Sequence, residues 1–130
     1  MDKFKCILLI DDDEVSNYLT EITIRNESLT GRIETALNGE EGLVKLKKLS
    51  NNGNAIPDLI LLDISMPVLD GFGFLQKFNE LEIDHKPKIV MLTSSHNPKD
   101  ILRVKEFNIT GYLNKPFSAA ELRRLMNREN

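Results

Sequence analysis

Short apolar runs alternate along the chain with segments whose apolar residues recur every three or four positions. Cys6–Ile10 (CILLI), Asp58–Asp63 (DLILLD) and Lys88–Thr93 (KIVMLT) carry continuous apolar stretches, the pattern of strands buried on both faces. Arg32–Ala36 alternates weakly and predicts another strand, and Gly111–Leu113 predicts a short last one. Between them, Val15, Leu19 and Ile22 recur at helical spacing and predict a first helix ending before Gly31. Leu43, Leu46 and Leu49 predict a second, stopped by Asn51-Asn52-Gly53-Asn54. Phe74, Phe78 and Leu81 stripe a third, which starts after Asp70-Gly71. Pro98 suits the start of a fourth, striped by Ile101, Val104 and Phe107. Leu122, Leu125 and Met126 mark the last, with Ser118 as N-cap and Glu121 completing a capping box.

Five strands alternating with five helices imply one doubly wound α/β domain in three layers. A parallel sheet lies between two sets of helices, joined by right-handed crossovers. In such open sheets, ligands bind beyond the carboxyl ends of the strands, at the topological switch point. The residues at those ends are therefore the candidates for chemistry. Asp11 and Asp12 follow the first strand, Asp63 ends the third, Thr93 ends the fourth and Lys115 follows the fifth.

The acids pose a physical problem. At roughly 4 Å and an effective dielectric of about 20, two carboxylates repel by about 4 kcal/mol. Asp13 and Glu14 are accounted for as acids at a helix start, where they are favoured. Asp11 and Asp12 are not. Strand-end Asp and Thr residues also cap helices and turns, which explains each alone but not all five on one sheet edge. Three carboxylates, one hydroxyl and one ammonium suit a hard divalent cation next to a phosphate. Mg²⁺ fits, with Mn²⁺ a substitute, because it takes oxygen ligands and shares its shell with phosphate and water.

Composition narrows the function further. The 130 residues are 41 % hydrophobic and 28 % charged, as in a soluble globular domain. The net charge of −3 and pI near 5.4 carry no basic footprint for nucleic acid, so no direct nucleic-acid binding is expected. Arg123, Arg124 and Arg128 read as favourable charges in the last turns of a helix. Cys6 is the sole cysteine and excludes an internal disulfide, which suits a reducing cytoplasm. No apolar run is long enough to span a bilayer, and the amino-terminal apolar stretch is too short for a secretory signal. His85 and His96 sit in polar loops and read as surface residues.

LLIDDDE, LILLDISMPVLDG, IVMLTSS and GYLNKPF, in this order, resemble the four signature segments of response-regulator receiver domains and cover essentially the whole chain. The resemblance implies strand order 2-1-3-4-5 and a phosphoacceptor in a two-component or phosphorelay system. By position, it makes Asp63 the acceptor of a phosphoryl group from the phosphohistidine of a sensor histidine kinase or a histidine phosphotransfer protein. Asp12 would bind Mg²⁺ directly, Asp11 through water or by orienting the shell, and the Ser65 carbonyl would be a further ligand. Lys115 would pair with the phosphoryl group and the Thr93 hydroxyl would hydrogen-bond it. Lys115-Pro116 matches a Lys-Pro bond that is usually cis in the family. Tyr112 matches the aromatic switch position, which turns inward as Thr93 is drawn to the phosphoryl group. That movement would alter the face of helix four, strand five and helix five toward a downstream protein target. Ser65 and Ser95 are neither acid nor amide, so an acyl phosphate that is not unusually short-lived is expected.

Two other readings compete. Asp11-Asp12-Asp13-Glu14-Val15 also fits the start of haloacid dehalogenase-type phosphatases, with Asp11 as nucleophile and Asp13 as general acid. That reading leaves Asp63 without a role, and after Lys115 it finds only Glu121 and Glu129 as further acids. A receiver fold used for interaction without phosphorylation would typically lose an acid, the Thr or the Lys, and all are present here. The chain ends directly after its fifth helix, as a stand-alone regulator or a piece of a larger one would.

Overall fold

A computed structural model of the chain describes residues 4–51, 56–66, 68–83, 86–94 and 98–127. Asn52–Asn54 of the second helix stop, Pro67, His85, Ser95, His96, Arg128 and Glu129 lie outside the described residues. Strands and helices alternate: β1 (Ile7–Ile10), α1 (Glu14–Asn26), β2 (Ile33–Ala36), α2 (Gly39–Ser50), β3 (Leu59–Asp63), α3 (Gly71–Asn79), β4 (Lys88–Thr93), α4 (Pro98–Val104), β5 (Gly111–Asn114) and α5 (Ala119–Asn127). Every pairing is parallel and the order is β2-β1-β3-β4-β5, as expected. The chain winds outward from β1 to β2, then reverses across β1 to β3. That reversal opens a crevice at the carboxyl ends of β1 and β3.

Strand parity divides the core into two. Leu8, Ile10, Ile60, Leu62, Ile89 and Met91 point to one face and pack under α2, α3 and Val104 of α4. Ile7, Leu9, Leu59, Leu61, Val90 and Leu92 point to the other and pack under Ile24 of α1 and the inner face of α5. Both faces are covered, which is why the central strands read as continuous apolar runs. Cys6, just before β1, is fully buried, and burial pushes its thiol above the ordinary value. The carboxylate of Asp58 accepts the N–H groups of Lys5 and Cys6 at 3.0 and 3.1 Å, tying the entry of β1 to that of β3.

Local signals predicted most helix ends. The Asp13 side chain accepts the N–H groups of Val15 and Ser16 at the start of α1, and Asp70 does the same for Gly73 at α3. Ser118 and Glu121 form the reciprocal capping box, both bonds at 3.1 Å. Leu81 and Phe107 lie just beyond α3 and α4 and still pack on the core.

One element is rotated from its simple amphipathic reading. The apolar positions whose spacing predicted α1 face outward: Val15 is 66 % exposed, Leu19 57 % and Ile22 37 %. The buried side chains of the helix are Asn17 and Ile24. Its inner contact is narrow: Ile24 shares one core cluster with Leu122, Leu125 and Met126 of α5, and Asn17 is the only other buried residue of the helix.

Candidate functional site

The carboxyl edge of the sheet gathers the predicted residues by backbone placement alone. Asp63 is the last residue of β3 and Thr93 the last of β4, while Asp11 follows β1 and Lys115 follows β5. The register sets Ile10 beside Leu62 and Asp63 beside Leu92, so these ends are level. The N–H of Lys115 donates to the Thr93 carbonyl at 2.8 Å, carrying the β4–β5 ladder one residue past the strand. The following Lys115–Pro116 bond is cis, as the resemblance implied.

Asp11, Asp12, Asp63, Ser65, Thr93 and Lys115 line one cavity of about 270 Å³, together with Asp13, Ile64 and Ser94. One carboxylate oxygen from each of Asp11, Asp12 and Asp63 lies within 4.8 Å of the others. Asp11, Asp63 and Thr93 are buried, at 4 %, 7 % and 3 % exposure, while Asp12 is exposed. Tyr112, the predicted switch residue, is not in this cavity. It is half-buried and packs against the core cluster that contains Phe72 and Met91.

The four consecutive acids divide into distinct tasks. Asp13 caps α1 and Glu14 occupies its first turn. Asp11 is held from both sides, with Oδ1 accepting the Asp13 N–H at 3.0 Å and Oδ2 accepting Lys115 Nζ at 2.6 Å. The same ammonium stands 3.3 Å from Asp63 Oδ1. One half-buried cation therefore offsets two buried carboxylates, and a third carboxylate faces the opening.

This balance is incomplete. Burial pushes the Asp63 carboxyl up to about 6; Lys115 opposes the rise, and the Asp11 and Asp12 charges add to it. For Lys115, burial acts to lower the value, but the hydrogen bond to Asp11 and the charges of Asp63 and Asp11 prevail and raise it. A site with excess negative charge, hard oxygen donors and an opening to solvent has the donor chemistry that Mg²⁺ requires. The Asp13 carboxylate caps α1 through Oδ1, which accounts for this acid without the general-acid role of the phosphatase reading.

Comparison with known proteins is consistent along the chain. The family described as "Response regulator receiver domain" matches residues 7–127. The chain belongs to the response-regulator receiver family. Among curated relatives of this receiver, a probable C4-dicarboxylate response regulator, DctR, of Halalkalibacterium halodurans is 34 % identical over 117 residues. That match covers 90 % of this chain and 47 % of the relative. A probable methanogenesis regulatory protein, FilR2, of Methanothrix harundinacea is 30 % identical over 118 residues, covering 91 % of this chain and 76 % of the relative. The receiver thus spans about half of the first relative's length and three quarters of the second's.

Among solved structures, a two component response regulator from Cytophaga hutchinsonii superposes with a TM-score of 0.85 at 28 % identity, covering 96 % of both chains. The chemotaxis protein CheY4 of Vibrio cholerae gives 0.76 at 28 % identity, covering 95 % of this chain and 97 % of that one. Receivers are signalling domains rather than classical enzymes; histidine kinases phosphorylate them, and they bind Mg²⁺ at an acidic pocket. One further relative, of Porphyra purpurea, is described as a probable transcriptional regulator, so the comparisons do not bear out the expected lack of nucleic-acid binding. No helix among the described residues is long and apolar enough to cross a membrane.

Sequence reasoning missed Asn17, a buried amide whose Nδ2 donates to the Asp11 backbone carbonyl at 2.9 Å. The signal was present as a polar residue seven positions before Ile24, on one helical face. The more conspicuous apolar stripe on the opposite face hid it.

Proposed function

We propose that Asp63 accepts a phosphoryl group from the phosphohistidine of a sensor kinase or histidine phosphotransfer protein, with Mg²⁺ bound among Asp11, Asp12 and Asp63. The observation that carries the reading is the shared, half-buried ammonium: Lys115 bridges Asp11 and Asp63 inside one cavity at the switch point. In the transfer, a carboxylate oxygen of Asp63 attacks phosphorus as the P–N bond to the donor imidazole breaks. The product is an acyl phosphate and a free imidazole. Asp63 must be ionised to attack, and a value near 6 leaves it so at neutral pH.

Asp12, Asp63 and the Ser65 carbonyl would hold the metal, and Asp11 would orient its shell. When bound, the ion neutralises charge on the transferring oxygens. The Lys115 ammonium would turn from Asp63 to the new phosphoryl oxygens, and the Thr93 hydroxyl would hydrogen-bond them. By residue type neither Ser65 nor Ser95 is an acid or amide that would direct water, so an acyl phosphate that is not unusually short-lived is expected. The switch would run through Tyr112 to the α4–β5–α5 face. Buried contacts of α4 are sparse there: Val104 alone of its residues is buried, and Leu102 is 63 % exposed. The whole of residues 1–130 is read as this receiver, in the cytoplasm, with a protein as downstream target.

The outward face of α1 supports a protein donor. Val15, Tyr18, Leu19 and Ile22 expose an apolar stripe, and Val15 and Leu19 share a cavity with Pro116 and Phe117 beside Lys115. A contiguous apolar patch next to a reactive edge is the usual mark of a docking surface.

The test is intact mass after incubation with Mg²⁺ and a small-molecule phosphodonor. One added phosphoryl group is expected, lost in Asp63→Ala and in EDTA. A folded protein that gains no adduct would leave a phosphorylation-independent interaction module. Steady donor consumption dependent on Asp11 but not Asp63 would indicate the phosphatase. Leu19→Glu is expected to slow transfer from a cognate phosphohistidine protein by about 10-fold, the size of one lost apolar contact. The same variant should leave labelling by the small donor unchanged, and equal slowing with both donors would remove the docking role of α1.

A further inference from the structure

We infer that Asn17 is a positioning residue of the cation site, acting through the backbone of Asp11; this role rests on the proposed function. Asn17 is 8 % exposed and lies on the inner face of α1, where an apolar residue would pack without cost. A buried amide is retained at such a place when it satisfies a group that nothing else reaches. That group is the Asp11 carbonyl, which accepts Asn17 Nδ2 at 2.9 Å in a buried setting.

Asp11 stands just past the end of β1. Its N–H still continues the sheet, donating to the Ala36 carbonyl at 3.1 Å. Its carboxylate is held by Lys115 and by the Asp13 N–H. Asn17 fixes the remaining polar atom, the carbonyl oxygen, and with it the plane of the Asp11–Asp12 peptide. Rotation of that plane is the freedom that would swing the exposed Asp12 carboxylate relative to Asp11 and Asp63. Asn17 removes that freedom from a helix whose start is already capped by Asp13. The helix and the acidic loop are therefore locked at two points, one at the cap and one at the Asp11 carbonyl.

An apolar residue of similar size would keep the packing and release the carbonyl. The experiment compares wild type, Asn17→Leu and Asn17→Ser with Ile24→Ala, which weakens the same helix face without touching the acidic loop. Mg²⁺ affinity is read by calorimetry, and amide hydrogen exchange of Asp12 and Asp13 by NMR on the metal-free protein. Both Asn17 variants are expected to bind Mg²⁺ about 10-fold more weakly, as for other residues that orient metal ligands. The Asp13 amide should also exchange faster. Ile24→Ala should lower the melting temperature and leave Mg²⁺ affinity unchanged.

Should Asn17→Leu fail to fold, Asn17→Ser carries the comparison. Unchanged affinity and exchange in the Asn17 variants would overturn the role, as would an equal loss of affinity in Ile24→Ala. A wild type that binds no Mg²⁺ would overturn the proposed function itself and this role with it, an outcome distinct from wild-type binding that Asn17 does not influence.

Discussion

Asp63→Asn is expected to raise the stability of the metal-free protein at pH 7 while abolishing the phosphoryl adduct. The carboxyl of Asp63 sits at about 6 in the folded chain, against 3.8 for the unperturbed group. A raised carboxyl means that the folded state holds its proton more tightly than the unfolded state does. Below the unfolded value both states are protonated and Asp63 carries no penalty. As pH rises from about 4 to about 6 the unfolded chain ionises first, so stability falls across that window. Above it the penalty is complete, about 3 kcal/mol by the constant linking pKa to free energy.

Asparagine removes the charge and keeps the size. The value of about 6 already includes the attraction of Lys115; the amide is a poorer fit than the protonated carboxyl, so a net gain of about 1–2 kcal/mol at pH 7 is expected. Thermal melts of both proteins from pH 4 to pH 8 check this, since other titrating groups cancel in the difference. The advantage of Asp63→Asn should shrink as pH falls toward 4. Added Mg²⁺ should close the gap from the other side by stabilising wild type more than the variant, through binding to the folded state alone. A pH-independent difference would mean that burial does not govern Asp63. This coupling of function to instability is common where a reactive group must be kept charged away from water.

Gly71→Ala is expected to be the most damaging single-methyl addition near the site. A Cβ there would lie 2.5 Å from the Asp63 carbonyl oxygen, 3.0 Å from the Ile64 Cα and 2.8 Å from the Met91 methyl. Two of these are backbone atoms at the end of β3, which also carries the acceptor. The Gly71 N–H donates to the Ile64 carbonyl at 2.9 Å, so the loop leaving β3 closes tightly on the start of α3. Gly71 is the first residue of α3, so alanine gains less there than the roughly 0.5–1 kcal/mol of a helix interior. Overpacking against backbone costs more, and a net loss of about 2 kcal/mol is expected. That corresponds to a fall of roughly 5–10 °C in Tm for a domain of this size.

The end of β3 must shift, so the rate of phosphoryl acceptance should fall along with stability. Gly73→Ala is the comparison. Its Cβ would meet chiefly the Cδ1 end of the Leu69 side chain, at 2.5 Å, which can rotate away. Equal losses at the two positions would show that the backbone contact at Gly71 does not control the site.

Much of this protein was legible in local sequence. The apolar runs of β1, β3 and β4, the caps at Asp13, Asp70 and Ser118, and the strand-end positions of Asp63, Thr93 and Lys115 all follow from residues close together in the chain. Their physical causes are local too: strand and helix periods, and side chains that satisfy nearby N–H groups. The resemblance to receivers then supplied strand order and roles that periodicity alone left open.

The rotation of α1 was not legible. Val15, Leu19 and Ile22 form the more apolar stripe, yet the narrow inner face holds Asn17 and Ile24. Which stripe is buried depends on packing against the neighbouring α5, whose residues share a core cluster with Ile24. The closer hold of Lys115 on Asp11, 104 residues away, than on Asp63 was equally hidden, although all three residues were expected on one edge. Sequence by itself determined which segments are strands and helices and which chemistry stands at the strand ends. The tertiary structure alone decided which acids share a cation, how far burial raises Asp63, and that an asparagine holds the Asp11 carbonyl. Those outcomes arise from distances between remote segments and from the water excluded when they close together, and neither quantity exists until the sheet has formed.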